Sequence, residues 1–323
     1  MDSRGRFRIL AMIMTICSMT AFAAGRHWVV GFSQFGSEGD WRTAETISIQ
    51  TAFLDDPSFT LIYSEAQRKQ ENQIKAIRAF ISRKVDAILI TPLVETDYGP
   101  VLQEAKKVGI PVLMIDRDVA LDDQALRMTF MGSDFVMEGE KAGSWLAGYL
   151  KKMNMDDGTK TIDIAEISGT ADSPPSIERG KGFRKISDIH PNWKITQSQP
   201  GNFDSDEGKQ VAAAFLKEDK NIQVLFAHND QMALGAAQAV KEAGLRPGKD
   251  VIIIGMDGIE EAFEAMVAGD LNCTVECSPL IGARAVQALR DLRSGKKLPP
   301  RIWANDGVFD QSNAAAALPI RQY

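Results

Sequence analysis

The chain alternates short, almost wholly apolar runs with longer stretches in which apolar positions recur every three or four residues. WVVGFSQ (28–34), DAILIT (86–91), VLMID (112–116), VLFAH (224–228) and VIIIGMD (251–257) are of the first kind. Their length and β-branched content predict strands buried on both faces. Residues 44–54, 71–84, 101–109, 138–153 and 232–244 are of the second kind. In ENQIKAIRAFISRK (71–84), Ile74, Ile77 and Ile81 fall on one helical face, and Gly109 ahead of Pro111 stops the next helix. Further strands are predicted at 60–66, 128–132, 161–168 and 195–200, and further helices at 177–189, 211–219 and 262–269. Strands alternating with helices predict parallel sheets covered on both faces. The rhythm breaks after Asp116 and resumes, which predicts two α/β domains of similar size.

Two stretches share one order of parts. ITPLVETDYGPVLQEAKKVGIPVLMID (90–116) and FAHNDQMALGAAQAVKEAGLRPGKDVIIIGMD (226–257) each run strand, polar turn, helix, Gly, strand, Asp. This is an internal repeat or the outline common to any two βαβ units. Under both readings Asp116 and Asp257 end strands, where open α/β sheets bind ligands.

The N-terminus has a different pattern. Arg4, Arg6 and Arg8 precede an apolar stretch from Phe7 to Met19, and Ala21-Phe22-Ala23 follows. A basic start, an apolar stretch too short to span a bilayer and an A-x-A site are the parts of a secretory signal peptide. Residues 1–23 are therefore expected to be removed, leaving the periplasm as the destination. Ile16 before Cys17 is too bulky for a lipid-attachment site. Loss of the signal takes the formal charge from −6 to −8. No basic face favours nucleic acid, and aromatic residues make up only 7% of the chain, too few for extended base-stacking platforms.

Two cysteines remain, Cys273 and Cys277, four apart in the extended run LNCTVEC. In a strand they lie about 13 Å apart at ~3.3 Å per residue, too far for a disulfide, so free thiols are expected. Three histidines and no Cys/His spacing give no metal site, and no cofactor is expected. Walker A, G-x-G-x-x-G, G-x-S-x-G and H-E-x-x-H signatures are all missing. His228 is read as structural for want of a nucleophile motif. Arginines beside Asp116 and near Asp257 oppose the raised pKa that a glycosidase's general acid needs.

Polar and aromatic residues gather at the strand ends instead: Phe35, Glu38, Trp41 and Arg42 after the first strand, then Asp116-Arg117, Asn229-Asp230 and Asp257. Ser176 to Arg179 opens a helix after a Pro-rich turn. Carboxylates accept from hydroxyls, Arg donates a fork of hydrogen bonds, and Asn does both. Trp or Phe covers the apolar face of a sugar ring. The set suits a neutral polyol. Taken singly, each residue also has a plainer reading. Asp230 looks like the cap of the helix at 232–244, Arg42 and Glu38 like a surface pair, and Trp41 like core.

GFSQFGSEGDWR, QRKQENQIKAIRAFI, DAILITPLVETDYGPVLQEAKKVGIPVLMIDRD, IERGKGF and AHNDQMALGAAQAVKEAGLRPGKDVIIIGMDG together resemble the periplasmic sugar-binding proteins of the ribose/galactose-type group, the solute receptors of bacterial ABC transporters. The resemblance runs to about Gly307, and GSEGDWR with KQENQ is more narrowly similar to galactofuranose-binding receptors. It implies a type I periplasmic binding protein: two doubly wound parallel-sheet lobes joined by three crossovers, near Ser133, Cys277 and Asn305. The lobes would be 24–133 with 278–305, and 134–277 with 306–323. It implies that Glu38 and Arg42 hold sugar hydroxyls from the first lobe. Asp116 and Arg117 match the family's strand-end pair, Arg179 the Arg before K-G-F, Asn229 the Asn of the N-D pair, and Asp257 the Asp before Gly. Cys277-Ser278-Pro279 stands where ribose receptors carry a Gln, which argues against ribose. The implied partners are a monosaccharide and the permease subunits of an ABC importer, with the chain itself a monomer. The alternative is a sugar receptor feeding a sensor kinase or chemoreceptor. The repressors that share this fold begin with a helix-turn-helix, and a signal peptide stands there instead.

Overall fold

The computed structural model describes residues 26–36 and 39–323; the expected signal peptide and Glu38 lie outside them. The first sheet contains β1 (Trp28–Gln34), β2 (Phe59–Glu65), β3 (Ala87–Thr91), β4 (Val112–Ile115), β5 (Thr129–Gly132) and β11 (Arg301–Trp303), in the order β11-β5-β4-β3-β1-β2. Its pairings are parallel. The second contains β6 (Ile162–Ser168), β7 (Trp193–Pro200), β8 (Val224–Ala227), β9 (Ile252–Asp257), β10 (Cys273–Glu276) and β12 (Val308–Asp310), in the order β12-β10-β9-β8-β6-β7. Only β12, on β10, runs antiparallel there. This is the two-sheet α/β architecture that the periodicity predicts.

The apolar strand runs are explained by their two faces. In β3, Ile88 and Ile90 join one hydrophobic cluster and Ala87 and Leu89 the other. In β9, Ile252, Ile254 and Met256 face one side and Ile253 the other. Helices cover both sides, so neither set of residues meets water. The helices of the first lobe are α1 (Asp40–Leu54), α2 (Gln70–Ser82), α3 (Gly99–Lys107) and α9 (Gly282–Arg293). Those of the second are α4 (Phe135–Lys152), α5 (Pro174–Ser187), α6 (Ser205–Glu218), α7 (Asp230–Glu242), α8 (Glu260–Ala268) and the short α10 (Ala314–Ala317).

Three connections pass between the sheets: β5 to α4, β10 to α9, and β11 to β12. Ile281, Ala285, Val286 and Leu289 return α9 to the first lobe, beside Ile49 and Phe53 of α1.

Several helices begin earlier than their apolar periodicity suggests. α1 starts at Asp40 rather than 44, and α4 at Phe135 rather than 138. In α5, Pro174 and Pro175 occupy the first turn instead of preceding it. A first-turn residue has no intrahelical partner for its N–H, so proline costs nothing there. The expected cap of α7 is also displaced by one residue. Asn229, not Asp230, accepts from the Met232 N–H, and Asp230 is fully buried elsewhere.

Candidate ligand-binding cleft

The carboxyl ends of the two parallel sheets face each other, so the loops that leave the strands meet between the lobes. From the first lobe, α1 supplies Trp41 and Arg42, and the end of β4 supplies Asp116 and Arg117. From the second come Asn229 after β8, Asp257 at the end of β9, and Arg179 in the second turn of α5. All seven line one cavity, together with Gly39, Phe135, Pro175, Phe203, Gln231 and Cys277.

The first-lobe half is a relay of buried polar groups. Gln34, the last residue of β1, donates to Glu45 at 2.8 Å. Glu45 in turn holds Arg42 at 2.7 Å, and Arg42 reaches Asp116 at 2.7 Å. Burial pushes the Glu45 carboxyl above its ordinary pKa and the nearby Asp116 adds to this, while Arg42 opposes both. Phe35 does not line the cavity. It lies beneath, fully buried, with the guanidinium carbons of Arg42 and Arg117 at 4.8 Å and 4.4 Å from its ring centre. Arg117 also donates to the Leu93 carbonyl at 3.2 Å. The aromatic floor thus carries two anchored arginines that border the cavity.

Arg179 organises the second-lobe half. It donates to Glu138 at 2.7 Å, to the His228 carbonyl at 2.5 Å and to Asp257 at 3.1 Å. Its guanidinium lies 5.2 Å from the Phe135 ring. Burial pushes Glu138 up to about 8 and Asp257 up to about 8, with Arg179 pulling both back. For Asp257, the carboxylates of Asp230 and Asp116 raise it further, the latter across the cleft. The same burial works against the charge on Arg179, but Glu138 and Asp257 more than offset it.

Asp230 builds the turn that carries Asp257. Its Oδ2 accepts from the Gly258 N–H at 2.7 Å, the Ile259 N–H at 3.1 Å and the Thr274 hydroxyl at 2.9 Å. His228 is buried against Glu166, with Nε2 3.0 Å from Oε1, and burial lowers its pKa. That places the imidazole behind the cleft as a neutral structural group. Both cysteines are free and buried. Among the described residues no cluster of His, Cys, Asp and Glu is arranged to hold a metal, and no helix is long and apolar enough to cross a membrane.

Of the residues singled out in the sequence, seven therefore meet in one cavity, Phe35 supports it from below, and Glu38 is outside the described residues. The plainer reading of Arg42 does not hold, since it is buried against Glu45 and Asp116; that of Trp41 holds in part, since it packs on a core cluster and also lines the cavity. Glu138 and Glu45, which hold the arginines, were not predicted; neither were Phe135, Phe203 and Gln231. The signal for Phe135 is its place directly after a crossover.

The model of the periplasmic binding protein domain matches residues 30–297, most of the chain. The chain belongs to the periplasmic binding protein family. The galactofuranose-binding protein YtfQ of Escherichia coli K12 is 39% identical over 91% of this chain and 91% of its own length. A Mycobacterium smegmatis structure in complex with β-D-fucofuranose matches with a TM-score of 0.85 and 41% identity, over 92% of this chain and 95% of that one. The periplasmic binding protein of the Shewanella sp. ANA-3 arabinose ABC transporter, bound to α- and β-L-arabinofuranose, matches at 0.84 and 44%, over 91% and 95%. The two-lobed α/β form of this periplasmic binding protein is thus shared along nearly its whole length.

Proposed function

We propose that this protein captures one monosaccharide between its lobes, best galactofuranose or galactose, and delivers it to the permease subunits of an ABC importer. The observation that carries the reading is the cavity between the lobes. Asp116, Arg117 and Arg42 approach from one lobe, and Arg179, Asn229 and Asp257 from the other. Interleaved carboxylates, guanidiniums and an amide offer both donors and acceptors to a ring of hydroxyls. Trp41, Phe135 and Phe203 supply the apolar cover. Contacts from both lobes make the closed form the one the ligand favours.

The relatives support a furanose: one is named for galactofuranose, and two structures hold β-D-fucofuranose and arabinofuranose. One of these belongs to an arabinose ABC transporter, which favours import over the signalling alternative. We read the protein as a monomeric periplasmic receptor released by cleavage after residue 23. The lobes are 24–133 with 278–305, and 134–277 with 306–323. Burial raises Asp257 in spite of Arg179, contrary to the expectation from the sequence, and catalysis is left out of this reading because the relatives are named as binding proteins.

The test is a thermal-shift panel on refolded protein, stripped of any carried ligand, with D-galactose, D-fucose, L-arabinose, D-ribose, D-fructose and myo-inositol. A bound sugar at ~100 times its Kd stabilises by about 2.7 kcal/mol, a rise of several degrees. For the sugar that shifts Tm, the anomeric signal of its 1-13C form identifies the ring captured. No shift with any monosaccharide contradicts the proposal.

A further inference from the structure

Trp41 belongs by chain position to the first lobe, since α1 packs with α9 on the first sheet. Its ring nevertheless packs against the hydrophobic cluster of the second lobe, which holds Met232, Ile259 and Phe263. The indole N–H donates to the Cys277 carbonyl at 2.5 Å, on the connection from β10 to α9. The same side chain lines the ligand cavity and lies under the Arg42 guanidinium, 4.7 Å from its ring centre. One residue thus touches the cavity, the opposite lobe and a hinge strand.

Its neighbour in the chain makes a similar crossing. Gly39, at φ +143°, lies so close to α7 that a Cβ built there would be 2.6 Å from Gln231 Oε1. The start of α1 therefore rests on the second lobe at two points, in a conformation open only to glycine at the first. Neither contact survives a parting of the lobes.

We propose that Trp41 is the positioning residue that couples ligand occupancy to lobe closure. This rests on the receptor reading above and adds a role beyond covering the sugar. A ligand shifts an open–closed equilibrium only through contacts that differ between the two states. Trp41 turns one such contact into three: a ring face fixed by ligand and Arg42 is already placed for the second-lobe cluster and the Cys277 carbonyl.

The experiment measures Kd by calorimetry and compaction by small-angle scattering, on wild type, Trp41→Phe and Trp41→Ala, with L-arabinose and D-galactose as probes. Wild type is expected to compact on saturation. Trp41→Phe keeps the ring and loses the N–H bond, so it should compact with Kd raised about 3- to 10-fold. Trp41→Ala should bind at least ~30-fold more weakly and, at saturating sugar, stay as extended as the empty protein. A Trp41→Ala protein that weakens but compacts fully shows a ligand contact only and overturns the coupling role. Unchanged affinity in Trp41→Ala overturns it too. A wild type that binds neither of these sugars nor any other of the panel above, and never compacts, overturns the receptor reading together with this one. Unchanged melting of the empty variants separates all of these from misfolding.

Discussion

Asp116 and Asp257 occupy the same place in the two lobes. Each stands at the carboxyl end of a parallel strand, each has a positive φ (60° and 112°), and each meets an arginine supplied by a helix. Arg42 of α1 reaches Asp116 at 2.7 Å, and Arg179 of α5 reaches Asp257 at 3.1 Å. A non-glycine residue held at such angles costs about 1–3 kcal/mol. Surrounding contacts hold both, and both carboxylates are thereby turned toward the cavity. The two halves of the site repeat one device, an acid at a strand end clamped by a helical arginine.

Arg117→Ala should abolish sugar binding and spare the fold. The Asp116–Arg42 pair persists without it, and Phe35 keeps the Arg42 guanidinium while losing that of Arg117. Titration calorimetry should find no heat, with Tm within a few degrees of wild type. Retained wild-type affinity contradicts the site.

Arg179→Ala should be different in kind. Glu138, Asp257 and the His228 carbonyl all lose their donor. Removing one partner from a buried ion pair costs about 3–5 kcal/mol. Denaturant unfolding should show a loss of that size together with lost binding. A variant as stable as wild type argues against the buried network.

Asp230→Ala tests a residue that does not line the cavity. Two backbone N–H groups beside Asp257 would be left without their acceptor, at about 1–3 kcal/mol for each buried group. Both stability and affinity should fall, because the turn that aims Asp257 relaxes. Lost stability with unchanged Kd would show that the turn holds its shape without Asp230.

The pH dependence has a definite sign. Burial raises Glu138 and Asp257 to about 8 and Asp230 to about 7. The folded protein thus retains protons that an unfolded chain releases near pH 4. Stability should fall as pH rises wherever the native state binds more protons. His228, lowered by burial, contributes in the opposite sense, but only below its unfolded pKa of ~6.5. Between about 6.5 and 8 the carboxyls decide, so Tm should decline across that window, and less steeply in Glu138→Gln. A Tm that rises across it contradicts this assignment.

Residues whose environment is set by near neighbours were legible in the sequence. Ile88 to Ile90 and Ile252 to Ile254 announce strands because both faces of each strand are covered. Asp116 and Asp257 were found because strand ends follow from strands. The start of α1 was not, since Asp40 is exposed and Trp41 and Arg42 face the cleft, which breaks the apolar period. Asp230 was misread as a cap because its partners, Gly258, Ile259 and Thr274, come from distant elements. Phe203 reaches the cavity from a turn at φ +62°, which no periodicity marks.

The central claim is that one sugar is held between Asp116 of one lobe and Asp257 of the other. The most direct measurement is calorimetric titration of refolded wild type and of Asp257→Ala with D-galactose and L-arabinose, with both melting curves recorded. The account predicts saturable heat at one site per chain for wild type, none for Asp257→Ala, and cooperative melting in both. Equal heats in the two proteins would place the ligand elsewhere and contradict the account.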